Sequence, residues 1–154
     1  MLDHRQVRAL LPHRHPMLQV DQVLEVQPGR RIVAVKAVSG SEPCYADLPD
    51  GLSRAGYAYP ASLLLESLGQ AGALLWLLSM DSTEKRTPML GSVRDFAIHG
   101  SAFPGDVLRH EVHLDHAAHD KALLRGETRV DGRLIASVGS MLGLAVPETL
   151  GGQR

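Results

Sequence analysis

The sequence predicts an α+β domain in which a largely antiparallel sheet lies beside one long buried helix. Three observations predict it. Residues Pro60 to Met80, PASLLLESLGQAGALLWLLSM, are apolar on every face, several flanking segments are β-rich or alternate with a period of two, and hairpin-length links join most of them. A helix apolar all round has to be buried.

Taken in order, Asp3 is a fitting N-cap for a short helix to about Leu11, ended by Pro12, with Val7, Leu10 and Leu11 as its buried side. Met17 to Val26 and Arg31 to Val38 are rich in Val, Ile and Leu, and the Gln27-Pro28-Gly29 turn between them makes a hairpin. Residues 39 to 59 are irregular, punctuated by Gly40, Pro43, Pro49, Gly51 and Gly56.

Pro60 suits the first helical position, where its missing N–H would be unpaired in any case. Beyond the helix comes a polar loop, DSTEKRTP, and then a strand from Met89 to His99. Ala102 to Asp106 forms a turn with Pro104 and Gly105 where a type II turn wants them. Val107 to His116 and Ala122 to Val130 alternate, with Arg125, Glu127 and Arg129 on one side and Leu124, Thr128 and Val130 on the other. That is a sheet with one wet face. Asp131-Gly132 is the strongest hairpin signal, and Leu134 to Val146 is the last strand of a mostly meandering set. The expected organisation is a single domain over residues 1–147 with residues 148–154 as a disordered tail.

Composition narrows the function classes. With 44% hydrophobic and 21% charged residues the chain reads as soluble and globular, and a net charge of −1 leaves no electrostatic footprint for nucleic acid or an anionic membrane. The helix is long enough to span a bilayer. Glu66, Gln70 and three serines argue against that, because an ionisable group near the bilayer centre costs on the order of 2.5 kcal/mol or more. No secretory signal precedes it, and the single Cys44 favours a reducing compartment, so the expected location is cytoplasmic.

Two groups of polar residues invite a chemical reading. His110, His113, His116 and His119 have a spacing of three that would align ligands on a helix; in a strand it alternates them between faces. Convergent metal ligation is rejected in favour of surface and edge histidines. Glu66 and Gln70 lie four apart on one helix face, and a carboxyl in such a helix needs a partner or a proton. Residue type alone leaves a catalytic and a structural role open.

The surrounding motifs separate them. Leu11 to Asp21, LPHRHPMLQVD, resembles the LPHRYPFLLVD opening of the FabZ-type β-hydroxyacyl-acyl-carrier-protein dehydratases. Glu42-Pro43 matches their NEP step, Leu64 to Gly72 their IIEAMAQAG helix, Pro104 to Asp106 their PGD turn and Val130 to Gly132 their last hairpin. The resemblance implies a hotdog fold, dimers, and active sites that combine a helix Glu with a His from a Gly-His-Phe-Pro loop of the other protomer. It implies no cofactor, since dehydration moves only protons and water.

One motif departs from the family. Where the His loop belongs, this chain reads Ala46-Asp47-Leu48-Pro49, with a longer connection to Pro60-Ala61, so Asp47 or Leu48 holds the catalytic slot according to where the gap falls. His13 and His15 belong to a separate segment and do not replace the missing His by position. Dehydration needs a base for the C2 proton and an acid for the departing hydroxyl. The resemblance gives those roles to the absent His and to Glu66 oriented by Gln70, with the thioester oxygen held at the helix start, on the Ala61 N–H.

The leading expectation is half of a heterodimeric dehydratase working with a His-bearing homologue and an acyl carrier protein, inactive alone and placed in polyketide rather than housekeeping fatty-acid synthesis. The alternatives are a non-catalytic hotdog partner that stabilises or shapes an active dehydratase, and a hotdog acyl thioesterase.

Overall fold

The structure, a computed structural model, describes residues 1–80 and 86–147. Helix α1 covers His4–Leu10, strands β1 and β2 cover Gln22–Gln27 and Arg31–Ala37, and helix α2 covers Ala61–Ser79. Strands β3 to β6 follow as Arg86–Ile98, Val107–Ala117, Lys121–Val130 and Arg133–Pro147. The expected tail at 148–154 lies outside the described residues, as do residues 81–85 of the polar loop.

All six strands form one antiparallel sheet in the order β1-β2-β4-β5-β6-β3. This is the hotdog arrangement, with α2 packed on the sheet. β4, β5 and β6 meander; β3 lies at the far edge, paired among the described residues with β6 alone. A separation of that kind is invisible to local pattern, because it depends on where the chain re-enters the sheet after the helix.

Local chemistry explains most boundaries. Asp3 accepts from the Gln6 N–H while Gln6 returns a bond to the Asp3 N–H, a complete capping box. Gly105 at φ 98° follows Pro104, and Asp106 N–H donates to Phe103 O at 2.9 Å, as the type II turn requires. Asp131 and Gly132 both have positive φ, 48° and 78°, which matches the twist of the β5–β6 hairpin.

Leu68, Ala71, Leu74, Leu75 and Trp76 of α2 are buried in one core cluster with Val23, Ile32, Val112, Leu124 and Met141, and Leu64 in a second with Val38, Leu108 and Ile135. The helix passes a length-and-composition test for a bilayer span; in this fold the sheet covers it. Helix and sheet approach closely at Gly126, where a Cβ would meet Leu68 Cδ1 of α2 at 3.2 Å as well as Glu111 O of β4 at 3.0 Å. The outer face of the sheet is wet as expected. Glu111 accepts from Arg31 at 2.7 Å, and that bond holds its carboxyl down at about 2.

The structure corrects several expectations. Leu10 is exposed, since only Val7 and Leu11 of the α1 region turn inward. Pro60 is the N-cap of α2, with φ −58° and ψ 134°, one residue outside the helix. Residues 17–21 are not strand, because Met17 and Leu18 close a turn on Arg14 O and the segment then bonds to α2. His110 is not a surface histidine. It is fully buried beside Thr128 Oγ1 at 2.8 Å, and burial pulls its imidazole down to about 3.

Candidate active site

Glu66 and Gln70 share a face of α2 with Gly69, Ala73 and Trp76, a spacing of three and four that makes one stripe along the helix. Trp76 at its end packs against Gly143 of β6, and the stripe borders open space. It lines a cavity of about 520 Å³ whose other walls are Pro12 and His13, Thr87 to Leu90 of β3, and Leu124, Met141 and Gly143 of the central strands. Glu66 retains 31% of its side-chain exposure there, so the carboxyl expected to be buried within the apolar helix is a half-buried group on a cavity wall.

Gln70 is buried and every polar atom of its amide is used. Its Nε2 donates to Glu66 Oε1 at 2.8 Å and to Met17 O at 2.6 Å, while its Oε1 accepts from the Gln19 N–H at 2.8 Å. Leaving any of these unpaired in the core would cost about 1–3 kcal/mol each. One amide therefore both fixes the Glu66 carboxyl and staples residues 17–19 to the helix. Gln19 extends the chain, accepting from the buried Tyr59 hydroxyl at 2.9 Å and donating to Pro16 O at 3.0 Å.

The stapled segment brings His13 to the site. Its Nε2 stands 3.4 Å from Glu66 Oε1, both residues line the cavity, and its Nδ1 is buried without a partner among the described residues. Position in sequence argues against His13 replacing the loop histidine; the fold nonetheless places it beside the carboxyl. The readable signal was the polar clamp itself, since a buried glutamine on an apolar helix has to bond to something, and the residues just after LPHRHP, Met17 and Gln19, supply the backbone groups.

The altered loop behaves differently. Asp47 is exposed, Leu48 half-buried, and neither lines the cavity. A short 3-10 turn at Pro43–Tyr45 precedes them, tied down by Lys36, whose Nζ donates to Glu42 Oε1 at 2.8 Å and to Ala37 O at 2.7 Å. Ala61 is exposed at the start of α2, outside the cavity lining, and no side chain caps that helix end. The N–H groups of the first turn are thus available to an oxygen carrying charge.

Among the described residues no cluster of His, Cys, Asp and Glu could hold a metal ion. His110 faces the core, His113 pairs with Glu111 at 3.3 Å and His116 is exposed, so the histidine series does not converge. What the site offers is acid–base chemistry: a carboxyl with one oxygen anchored by an amide, a histidine in contact with it, and an apolar cavity alongside.

Comparisons with known proteins agree. The family model described as a FabA-like domain matches residues 11–139. A 3-hydroxyacyl-[acyl-carrier-protein] dehydratase FabZ of Symbiobacterium thermophilum is 40% identical over 105 residues, covering 68% of this chain and 70% of that protein. The FabZ of Geobacillus thermodenitrificans is 33% identical over 144 residues, 94% of this chain and 96% of its own. Among solved structures, a chain of the dehydratase heterocomplex ApeI:P from Xenorhabdus doucetiae superposes with a TM-score of 0.73 at 20% identity, covering 96% of this chain and 97% of that one, a likeness of fold.

Proposed function

Because the chain belongs to the FabA-like family and, within it, to the FabZ-like 3-hydroxyacyl-acyl-carrier-protein dehydratases, we propose that it is one subunit of a heterodimeric dehydratase. It donates Glu66 to a site whose histidine comes from a homologous hotdog partner. The observation that carries the reading is the pairing of an ordered Glu66–Gln70 unit with a cavity walled by the sheet's edge. Among the described residues strand β3 is paired on one side only, and its Met89 and Leu90 are exposed. A partner strand laid along that edge would satisfy its backbone groups, cover those residues and close the cavity.

In the reaction, the partner's histidine takes the C2 proton of the 3-hydroxyacyl thioester. Glu66 gives a proton to the hydroxyl as the C3–O bond breaks, so that a C2–C3 double bond and water are formed. The first-turn N–H groups of α2, beginning with Ala61, hold the thioester oxygen as charge gathers on it. Gln70 keeps Glu66 Oε1 engaged and leaves Oε2 to face the substrate. Asp47 and Leu48 take no part. The substrate arrives on an acyl carrier protein in the cytoplasm, within polyketide synthesis, and the reciprocal site, lacking its histidine, is inactive. A dehydratase heterocomplex built from a chain of this fold is the precedent for such an assembly.

A second reading rests on the His13–Glu66 contact, in which the chain dehydrates unaided with His13 as base. The test is a dehydration assay on a 3-hydroxyacyl carrier protein, with the chain alone and then with a His-bearing homologue. Turnover only by the pair supports the heterodimer. Turnover by the chain alone transfers the base to His13, thioester hydrolysis would make it a thioesterase, and a pair that keeps full activity with Glu66→Gln would make this chain a non-catalytic partner.

A further inference from the structure

Gln19 departs from the motif around it. The FabZ-type opening LPHRYPFLLVD has Leu where this chain, LPHRHPMLQVD, has Gln19. That side chain belongs to a residue only 5% exposed, and an amide in such a place needs partners. It has two. Its Nε2 donates to Pro16 O at 3.0 Å, and its Oε1 accepts from the hydroxyl of Tyr59, itself buried, at 2.9 Å. Burial, and then the charge of nearby Glu42, push the Tyr59 phenol well above its ordinary range, so it keeps its proton and donates. The competing acceptor is engaged elsewhere, since Glu42 Oε1 accepts from Lys36 Nζ at 2.8 Å and from the Ser39 N–H at 3.0 Å.

These bonds close a ring around the start of α2. The Gln70 amide bonds Met17 O and the Gln19 N–H, the Gln19 side chain bonds Pro16 O and Tyr59, and Tyr59 is joined covalently to Pro60, the N-cap of the same helix. Tyr59 is itself fixed, its N–H donating to Ala102 O at 2.8 Å. The segment with the altered motif bypasses the cavity, yet its last residue reaches the clamp through one hydroxyl. We propose that Tyr59, acting through Gln19 and Gln70, is a positioning residue that holds the Glu66 carboxyl in register with the first-turn N–H groups of α2. Its side chain braces the segment that grips Gln70, and its backbone leads directly into the turn that receives the thioester oxygen. The value of this register to dehydration rests on the dehydratase reading; the ring of bonds does not.

Three variants separate bracing from stability: Tyr59→Phe, Gln19→Leu and the two together. Each single change strands one buried polar group and lowers the melting temperature. The double change removes both partners and restores most of it, because two apolar groups of similar shape leave nothing unpaired. The brace is absent from all three. With every rate measured well below the melting transition, kcat of the complex with a His-bearing homologue falls about tenfold, the double variant included, while KM stays within about twofold, as loss of one positioning hydrogen bond of ordinary strength requires. In the isotope-labelled full chain alone, NMR follows the exchange of the Gln70 Nε2 protons, which becomes about tenfold faster in the double variant while the backbone N–H of Leu74, in the same helix, keeps its rate. A double variant that recovers kcat together with its melting temperature overturns the proposal, since the pair would then serve stability only. Unchanged Gln70 exchange, or exchange that rises equally at Leu74, overturns it too. A single variant too unstable to purify leaves the double to decide. Faster exchange at Gln70 without dehydration by any pair would strike the proposed function and leave the brace standing; turnover with unaltered exchange would do the reverse.

Discussion

Two irregular segments approach the beginning of α2, and they are held in opposite ways. Residues 12–19 are bonded to the helix itself, through both ends of the Gln70 amide and the His13–Glu66 contact. Residues 42–59 are bonded away from it. Lys36 fastens one end at Glu42, and Tyr59 N–H fastens the other to Ala102 O at 2.8 Å. The first segment is therefore part of the site and the second passes beside it. A loop that has lost its catalytic residue can thus stay well anchored, because the anchors lie at its ends and the altered residues, Asp47 and Leu48, lie between them.

The sharpest way to break this contrast is at Glu66. Glu66→Gln keeps the shape of the side chain and an oxygen for Gln70, and the kcat of the active complex is expected to fall about 10²–10⁴-fold with little change in melting temperature. Next comes Lys36→Met, which leaves Glu42 largely buried with its charge unpaired and should cost about 3 kcal/mol in denaturant unfolding. Its effect on kcat is expected to be small, since the loop it anchors does not reach the cavity.

Gln70→Leu should reverse that ratio. It strands the Gln19 N–H and Met17 O, costing about 2 kcal/mol of stability, and it also releases Glu66, so kcat falls along with melting temperature. A Gln70→Leu variant that loses stability but keeps its kcat would show that the clamp is structural only. Asp47→Ala is the smallest expected change: rate within about twofold and stability within about 0.5 kcal/mol. A large rate loss there would bring the altered loop into the chemistry and undo the comparison.

Much of this was legible in sequence where the physics is local. The N-cap at Asp3, the Pro104-Gly105 turn and the Asp131-Gly132 hairpin each depend on a few adjacent residues, and each stands as expected. Leu10 and His110 were misjudged because period assigns a residue to a face and does not say how far the neighbouring elements extend over it. His13 escaped because its partner is more than fifty positions away along the chain.

By itself, then, the sequence determined the elements, the buried helix with its misfit Glu66 and Gln70, and the resemblance that points to dehydration. Periodicity, turn chemistry and the cost of a polar group among leucines are all properties of short stretches. The tertiary structure alone decided that β3 forms the sheet's edge, that Gln70 spends its amide on residues 17–19, and that the stripe from Glu66 to Trp76 lines a cavity. Those facts depend on which surfaces meet when the chain closes on itself, and a buried amide finds its partner, or lacks one, only then.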